Sequence, residues 1–370
     1  MRSLRWIAAG GLCTGVYLAG CTTGPEGALP VVASTEQSQT VSPGESEQWS
    51  PTRLFLQTLD GTVALDTTTR ALVQYSGARG ATLTITPSTL QLGKPNPTMV
   101  PRSDAALAYM PNIKRMILFG GRVSSTGAPS SETWQWDGSS WAPVLTPTSP
   151  PPRTGASMVY DPARKRLLLV GGIGAGAGYG PRYDTWSFDG VGWTDESSQA
   201  GTPPVVYGTN ALLYDEKHGG PALVTGGNLG CTPGRIWRYD TGTWVVDPAS
   251  AVSPPFICGS GPAAYDPTTG DIATITSYPS LQFWTFRAGT WINKDVSGLQ
   301  PGSYYSAQMA YWQGAVTVLG GIFGQTGVAR RDLQRWDGQT WSQFPNSVAP
   351  PATGVVGWAW TGATRCWTTA

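Results

Sequence analysis

A chain of 370 residues is long enough for two average domains or one large repeat domain. Gly (48) and Pro (31) are abundant and charged residues make up only 13%, but 17 Trp, 14 Tyr and 8 Phe supply a large core, which excludes a disordered chain. A formal net charge of +1 without any basic block excludes a phosphate-gripping surface, so nucleic acid is not an expected partner.

The first element is a targeting segment. Met1 to Arg5 carries two positive charges, and the weakly apolar stretch Trp6 to Gly20 that follows is too short to span a bilayer comfortably. It ends in Leu18-Ala19-Gly20-Cys21. That string resembles a bacterial lipobox, which implies a signal peptide over 1–20, cleavage before Cys21 and acylation of the Cys21 it frees. The alternative is an ordinary secretory peptide with a chance Cys. Acyl chains contribute about 0.8 kcal/mol per buried CH₂, so several on Cys21 would anchor the chain stably. From residue 22 to about 50 the chain is rich in Ser, Thr, Gly, Pro, Glu and Gln without an apolar period, so residues 21–50 read as lipidated Cys and flexible tether.

Over 51–370 one string recurs: aromatic, any residue, aromatic, a turn, then Trp. It runs from Trp134 to Trp141, Trp186 to Trp193, Trp237 to Trp244, Trp284 to Trp291 and Gln334 to Trp341, and the closing tryptophans are 52, 51, 47 and 50 residues apart. A weaker sixth copy lies upstream, where Ala81 to Arg102 aligns without gaps on Glu132 to Arg153. Each unit also has an earlier half. A strand ends in a turn that often opens with Asp (Leu65-Asp66, Tyr160-Asp161, Tyr214-Asp215, Tyr265-Asp266), and a β-rich run then ends in Gly-Gly, as at Gly120-Gly121, Gly171-Gly172, Gly226-Gly227 and Gly320-Gly321. Asp and Pro suit such turns because Asp bonds nearby backbone amides and Pro presets φ.

Each unit therefore predicts four antiparallel strands, a to d. One such sheet cannot cover both of its faces, and radial repetition is the solution. The Gly-Gly after strand b, the Trp in strands c and d and the fifty-residue period resemble kelch repeats over roughly residues 55 to 370. The resemblance implies an all-β fold, a β-propeller of four-stranded kelch-like blades. The unit around Trp291 departs from the pattern with Thr276-Ser277, and the first unit lacks the Trp. Beyond the sixth unit, Gly354 to Ala370 reads as two more strands, and Trp49 to Leu56 could complete a shared blade. The expectation is seven blades, with six the alternative if the last strands only extend a blade.

Eleven of the 17 tryptophans fall in three repeating columns and are expected to pack blade on blade; Trp312 is among those outside them. His218, the only histidine, lies in an a–b turn and reads as a solvated turn residue. A single His speaks against His-rich metal sites and against the copper oxidases that resemble kelch propellers, whose site uses two His and two Tyr. No metal, no cofactor and no catalytic residue is expected. Cys231, in a b–c loop, and Cys258, which starts strand a of the next blade, fall on one face of the meander. In an oxidising compartment they are a candidate disulfide, the alternative being three unpaired buried thiols with Cys366. The Gly-rich run Gly171 to Gly178 follows a strand but opens no helix, so it reads as a loop and not a phosphate cradle.

Eight residues before each strand-a turn lies another column: Arg102, Arg153, Tyr207, Cys258 and Tyr304. Arg102, Arg153, Tyr207 and Tyr304 form the candidate ligand-binding face, where two guanidinium groups could hold a carboxylate. The other reading is that the arginines bond loop carbonyls and hold blades together, and it carries more weight because Pro-Arg before strand a is itself a repeat feature. The leading functional expectation is a monomeric, non-enzymatic module at the bacterial cell envelope, lipid-anchored at the outer membrane or cell surface, that binds a protein or glycan. The alternatives are a periplasmic enzyme similar to epimerases or mutarotases of acidic sugars, with Arg102 and Arg153 on the carboxylate, and an envelope assembly scaffold.

Overall fold

The computed structural model describes residues 61–343 except 78–79, 88, 95, 175–179, 204–211, 227–230, 253–254, 259–261, 277–279, 300–306, 321, 324–327 and 330–332, together with 358–361 and 364–367. The chain divides into a larger unit, Pro51–Ser347, and a second made of Met1–Ser50 and Val348–Ala370. In the second unit the described part is one antiparallel hairpin, Trp358–Thr361 with Thr364–Trp367. Cys21, Trp49 to Leu56, Tyr207 and Tyr304 lie outside the described residues.

The larger unit contains six four-stranded antiparallel sheets. Strands a to d are Thr62–Asp66, Ala71–Ser76, Ala81–Ile85 and Leu90–Leu92 in blade 1. In blade 2 they are Ala106–Met110, Arg115–Phe119, Thr133–Trp136 and Trp141–Val144. In blade 3 they are Ser157–Asp161, Arg166–Val170, Thr185–Phe188 and Trp193–Asp195. Blade 4 has Leu212–Asp215, Gly220–Thr225, Arg235–Asp240 and Thr243–Val246. Blade 5 has Ala263–Asp266, Asp271–Thr276, Gln282–Arg287 and Thr290–Lys294. Blade 6 has Gln308–Trp312, Ala315–Leu319, Leu333–Trp336 and Trp341–Gln343. Strand a of each blade packs against strand a of the next, and strand a of blade 6 packs against that of blade 1. The unit is a β-propeller.

The ring closes at six blades, which corrects the expectation of seven. Blade 1 draws all four strands from one continuous stretch, so no blade is left for the termini to share. Its free face is covered directly by blade 6, through Val63, Leu72, Leu83 and Ile85 against Trp312 and Leu319. Trp312, outside the sequence columns, closes the ring: its Nε1 donates to the Arg70 carbonyl of blade 1 at 2.8 Å.

Strand alternation produces one apolar cluster per seam. In strand b of blade 3, Leu167 and Leu169 join the cluster shared with blade 2, while Leu168 and Val170 join that shared with blade 4. Both faces of the sheet are buried, and side chains a residue apart serve different neighbours. The closing tryptophans of strands d are all buried. Each reaches back one blade. Trp141 Nε1 donates to Thr82 Oγ1 at 2.6 Å, Trp193 to Thr133 at 2.9 Å and Trp244 to Thr185 at 2.9 Å. These threonines lie at or near the start of the neighbour's strand c. The corresponding position is Ile236 in blade 4 and Phe283 in blade 5, and the pattern changes accordingly. Trp291 turns to the Ser250 carbonyl at 2.9 Å, and Trp341 Nε1 has no hydrogen-bond partner among the described residues, its ring meeting Phe283 edge-on at 4.8 Å.

At the opposite end of the blades the a–b turns close on Asp as expected, with Asp66, Asp161, Asp215 and Asp266 accepting from amides two and three residues on. The preceding Tyr column ties blades together there. Tyr109 Oη bonds Thr68 at 2.7 Å, Tyr265 Oη accepts from the Lys217 amide at 3.1 Å, and Tyr311 bonds Thr268; each partner sits in the turn of the blade before. The c–d turns place Gly138, Gly190, Gly242, Gly289 and Gly338 at φ between 81° and 103°, a conformation that costs Gly little and other residues much.

Two substitutions follow from these seams. Trp312→Ala should destabilise the chain by about 3–5 kcal/mol, the usual loss for a buried Trp. Thr133→Val, which keeps the shape and removes the acceptor of the Trp193 indole, should cost about 1–3 kcal/mol. Urea unfolding followed by tryptophan fluorescence measures both. A Trp312→Ala midpoint equal to wild type would contradict closure at this seam.

Candidate functional site

The b–c loops and d–a junctions share one end of the propeller, since strand a runs away from that end and strand b returns to it. Short two-stranded pairs organise this end. Arg102–Ser103 pairs with Arg122–Val123, and Arg153–Thr154 with Ile173–Gly174, each joining a d–a junction to the b–c loop of its own blade. Neighbouring blades are joined as well. The Arg153 amide donates to Ser130 O at 3.0 Å and its carbonyl accepts from the Gly121 amide at 2.9 Å, both in blade 2.

The Gly-Gly signature has its reason here. Gly120 is at φ 70°, and a Cβ on it would lie 2.6 Å from the Arg153 carbonyl oxygen. A Cβ on Gly121, at φ 89°, would lie 2.8 Å from the Ser103 carbonyl oxygen. Two d–a segments cross over this dipeptide, so only Gly fits.

The candidate arginines are fully buried, Arg102 at 1% exposure and Arg153 at 0%. Arg153 Nη1 and Nη2 donate to Asp184 Oδ1 and Oδ2 at 2.5 and 2.6 Å, Nη1 also to Gly171 O at 3.0 Å and Nε to Pro151 O at 3.0 Å. Arg102 Nη2 donates to Glu132 Oε2 at 2.6 Å and Nη1 to Ser130 Oγ at 3.2 Å, and the guanidinium lies 5.8 Å over the Trp134 ring. The same carboxylates accept from tryptophans of strand c, Glu132 from Trp134 Nε1 at 3.1 Å and Asp184 from Trp186 Nε1 at 2.9 Å. The carboxylates that Arg102 and Arg153 hold are thus the protein's own, and the arginines clasp loop to strand within a blade. Sequence reasoning passed over Glu132 and Asp184. The signal was there as an acidic residue two positions before the column Trp, with Gln282 in its place in blade 5, where it accepts from Trp284 Nε1 at 3.0 Å.

Burial pushes both carboxyls up, but hydrogen bonds from the arginine and the tryptophan, with the guanidinium charge, outweigh it and leave Glu132 and Asp184 below their ordinary values. Asp215 in the a–b turn of blade 4 is lowered in the same way: burial raises it, and the bond and charge of Arg238, the charge of His218 and the turn amide bring it down. His218 is half exposed, as a turn residue should be, with Nδ1 2.7 Å from Asp215 Oδ2. Among the described residues no three or more of His, Cys, Asp and Glu are grouped to hold a metal ion, and no helix is long and apolar enough to cross a membrane.

Of the predicted face, Arg102 and Arg153 occupy equivalent places in adjacent blades with their charged groups turned inward. Tyr207 and Tyr304 lie outside the described residues, and the b–c loop of blade 3 carries Tyr183, 48% exposed, just before strand c.

Since the native carboxyls are lowered, they stabilise the fold fully above their unfolded values, about 3.9 for Asp and 4.3 for Glu. This contribution is lost as pH falls through the depressed native values. Melting temperature should therefore fall steeply only below about pH 4. Asp184→Asn should flatten that fall and destabilise the chain at neutral pH by about 3–5 kcal/mol, because Arg153 is left buried without its counter-ion. Thermal melts across pH 2–7 on both proteins measure this.

No protein-family model matches this chain. No curated protein matches it either. Among solved structures it is similar to the one titled "Structure of YjhT", at 15% sequence identity and a TM-score of 0.58, covering 78% of this chain and 97% of that one. At that identity the likeness speaks to fold alone, and it agrees with the six closed blades: the chain carries a β-propeller fold.

Proposed function

We propose that the chain is a non-enzymatic binding module of the bacterial cell envelope, tethered through acylated Cys21, that meets a protein or glycan with its b–c loop end. The observation that carries this reading is the inward turn of Arg102 and Arg153 onto Glu132 and Asp184. In the acidic-sugar reading those guanidinium groups would hold the substrate carboxylate, and their pairing with the protein's own carboxylates favours a framework role for them instead. What is left to meet a ligand at this end is loop side chains, Tyr183 among them and Tyr207 and Tyr304 by their place in the sequence column. Tyrosine suits that task, joining a large apolar ring to a hydroxyl at small entropic loss.

The test uses the full chain with Cys21→Ser, titrated against immobilised envelope glycans and purified envelope proteins. Saturable binding should weaken at least tenfold in a Tyr183→Ala, Tyr207→Ala, Tyr304→Ala variant and stay unchanged in Lys165→Ala, at the opposite end. Turnover of any acidic sugar would overturn the reading, as would binding indifferent to the three tyrosines. Anchoring is checked separately: the wild-type chain should fractionate with membranes and take up labelled acyl chains, and Cys21→Ser should do neither.

A further inference from the structure

Arg153 and Cys258 hold the same place in their repeats, eight residues before Asp161 and Asp266. In blade 3 that place is a rivet, with the backbone of Arg153 bonded to the loop of blade 2 and its side chain to Asp184 of its own blade. In blade 5 the guanidinium is missing, and the place of Asp184, two residues before the column Trp, is taken by neutral Gln282. Cation and counter-ion have gone together, so blade 5 lacks the ionic clasp that ties the d–a segment of blade 3 to its strand c.

It has instead a three-residue strand pair that joins one blade to the next. Cys231–Pro233, in the b–c loop of blade 4, runs antiparallel to Phe256–Cys258, which leads into strand a of blade 5, with Cys231 opposite Cys258, Thr232 opposite Ile257 and Pro233 opposite Phe256. The pair is fixed from two sides. The Gly234 amide donates to Pro255 O at 2.7 Å, and Gly226 lies so close that a Cβ on it would come within 2.0 Å of Ile257 O. Residues directly opposite in an antiparallel ladder have Cα atoms about 4.5–5.5 Å apart, inside the roughly 4.4–6.8 Å that a disulfide spans.

We infer that Cys231 and Cys258 form a disulfide that joins blade 4 to blade 5 covalently, at the repeat position that Arg153 holds in blade 3. One thiolate attacks a disulfide-bearing oxidant to form a mixed disulfide, and the second attacks that protein sulfur and displaces the oxidant's thiolate. The two cysteines lose two electrons and two protons, and the oxidant leaves as a dithiol. The closed loop contains strands c and d of blade 4, so the bond fixes the b–c loop of that blade as well as the seam. The inference rests on register and is independent of the binding role.

The full chain carrying Cys21→Ser, purified under oxidising conditions, is alkylated without reduction, digested and weighed. The expected product is one linked species containing Cys231 and Cys258, lighter by two hydrogens than the two peptides and split by reductant. Reductant should also lower the wild-type melting temperature by several degrees and leave a Cys231→Ser, Cys258→Ser variant unmoved. Alkylation of both cysteines before reduction, or a link from either to Cys366, overturns the inference. A wild-type melt insensitive to reductant overturns the stapling role.

Discussion

A four-stranded sheet whose side chains are apolar on both faces has to be covered twice, and every other feature of this propeller answers to that demand. Strand b of blade 3 shows it most simply, since alternate residues belong to different cores. No blade can be stable alone, and an open row would leave two faces in water. The ring removes both, and the price is that blade 6 must fit blade 1 as well as it fits blade 5. Trp312 meets that condition with a large ring in the seam and an indole N–H on the far blade's turn.

Apolar packing has no fixed register, so each seam also carries directional bonds. They come in three tiers: backbone bonds between d–a segments and the preceding blade's b–c loop at the loop end, Trp–Thr bonds in the middle and Tyr–turn bonds at the a–b end. Each tier repeats because the geometry repeats, and each changes where a residue type changes. Thr at the start of strand c gives the next blade's Trp an acceptor, whereas Ile236 and Phe283 do not, and the indole finds a carbonyl or the edge of a ring. Arg and an acidic residue are present together in blades 2 and 3 and absent together in blade 5. This is the behaviour of a buried ion pair, where losing one partner is worse than losing both.

The same economy bears on function. In the proposed binding role, a propeller that uses its conspicuous arginines and tryptophans for assembly would leave recognition to the loops. Frame and loops can then vary separately, because in blades 2 and 3 the b–c loop leaves strand b after the Gly-Gly crossing and returns before the acidic residue that precedes strand c.

Much of this was legible in the sequence because a repeat aligns with itself. The period, the four strands per unit, the Asp turns, the Gly of the c–d hairpins and the packing role of the Trp columns each follow from residue type recurring at fixed spacing. Blade number did not follow. Six copies can be counted, but whether the strands after Gly354 add a blade depends on whether blade 1 already has a neighbour, and that is a contact across 242 residues. The partners of Arg102 and Arg153 were likewise undecided, since a guanidinium reads the same in sequence whether it faces solvent or lies at 0% exposure on Asp184. Periodicity specifies what every blade shares; which faces meet, and which charges are turned inward, is set only when the ring closes and brings distant segments within bonding distance.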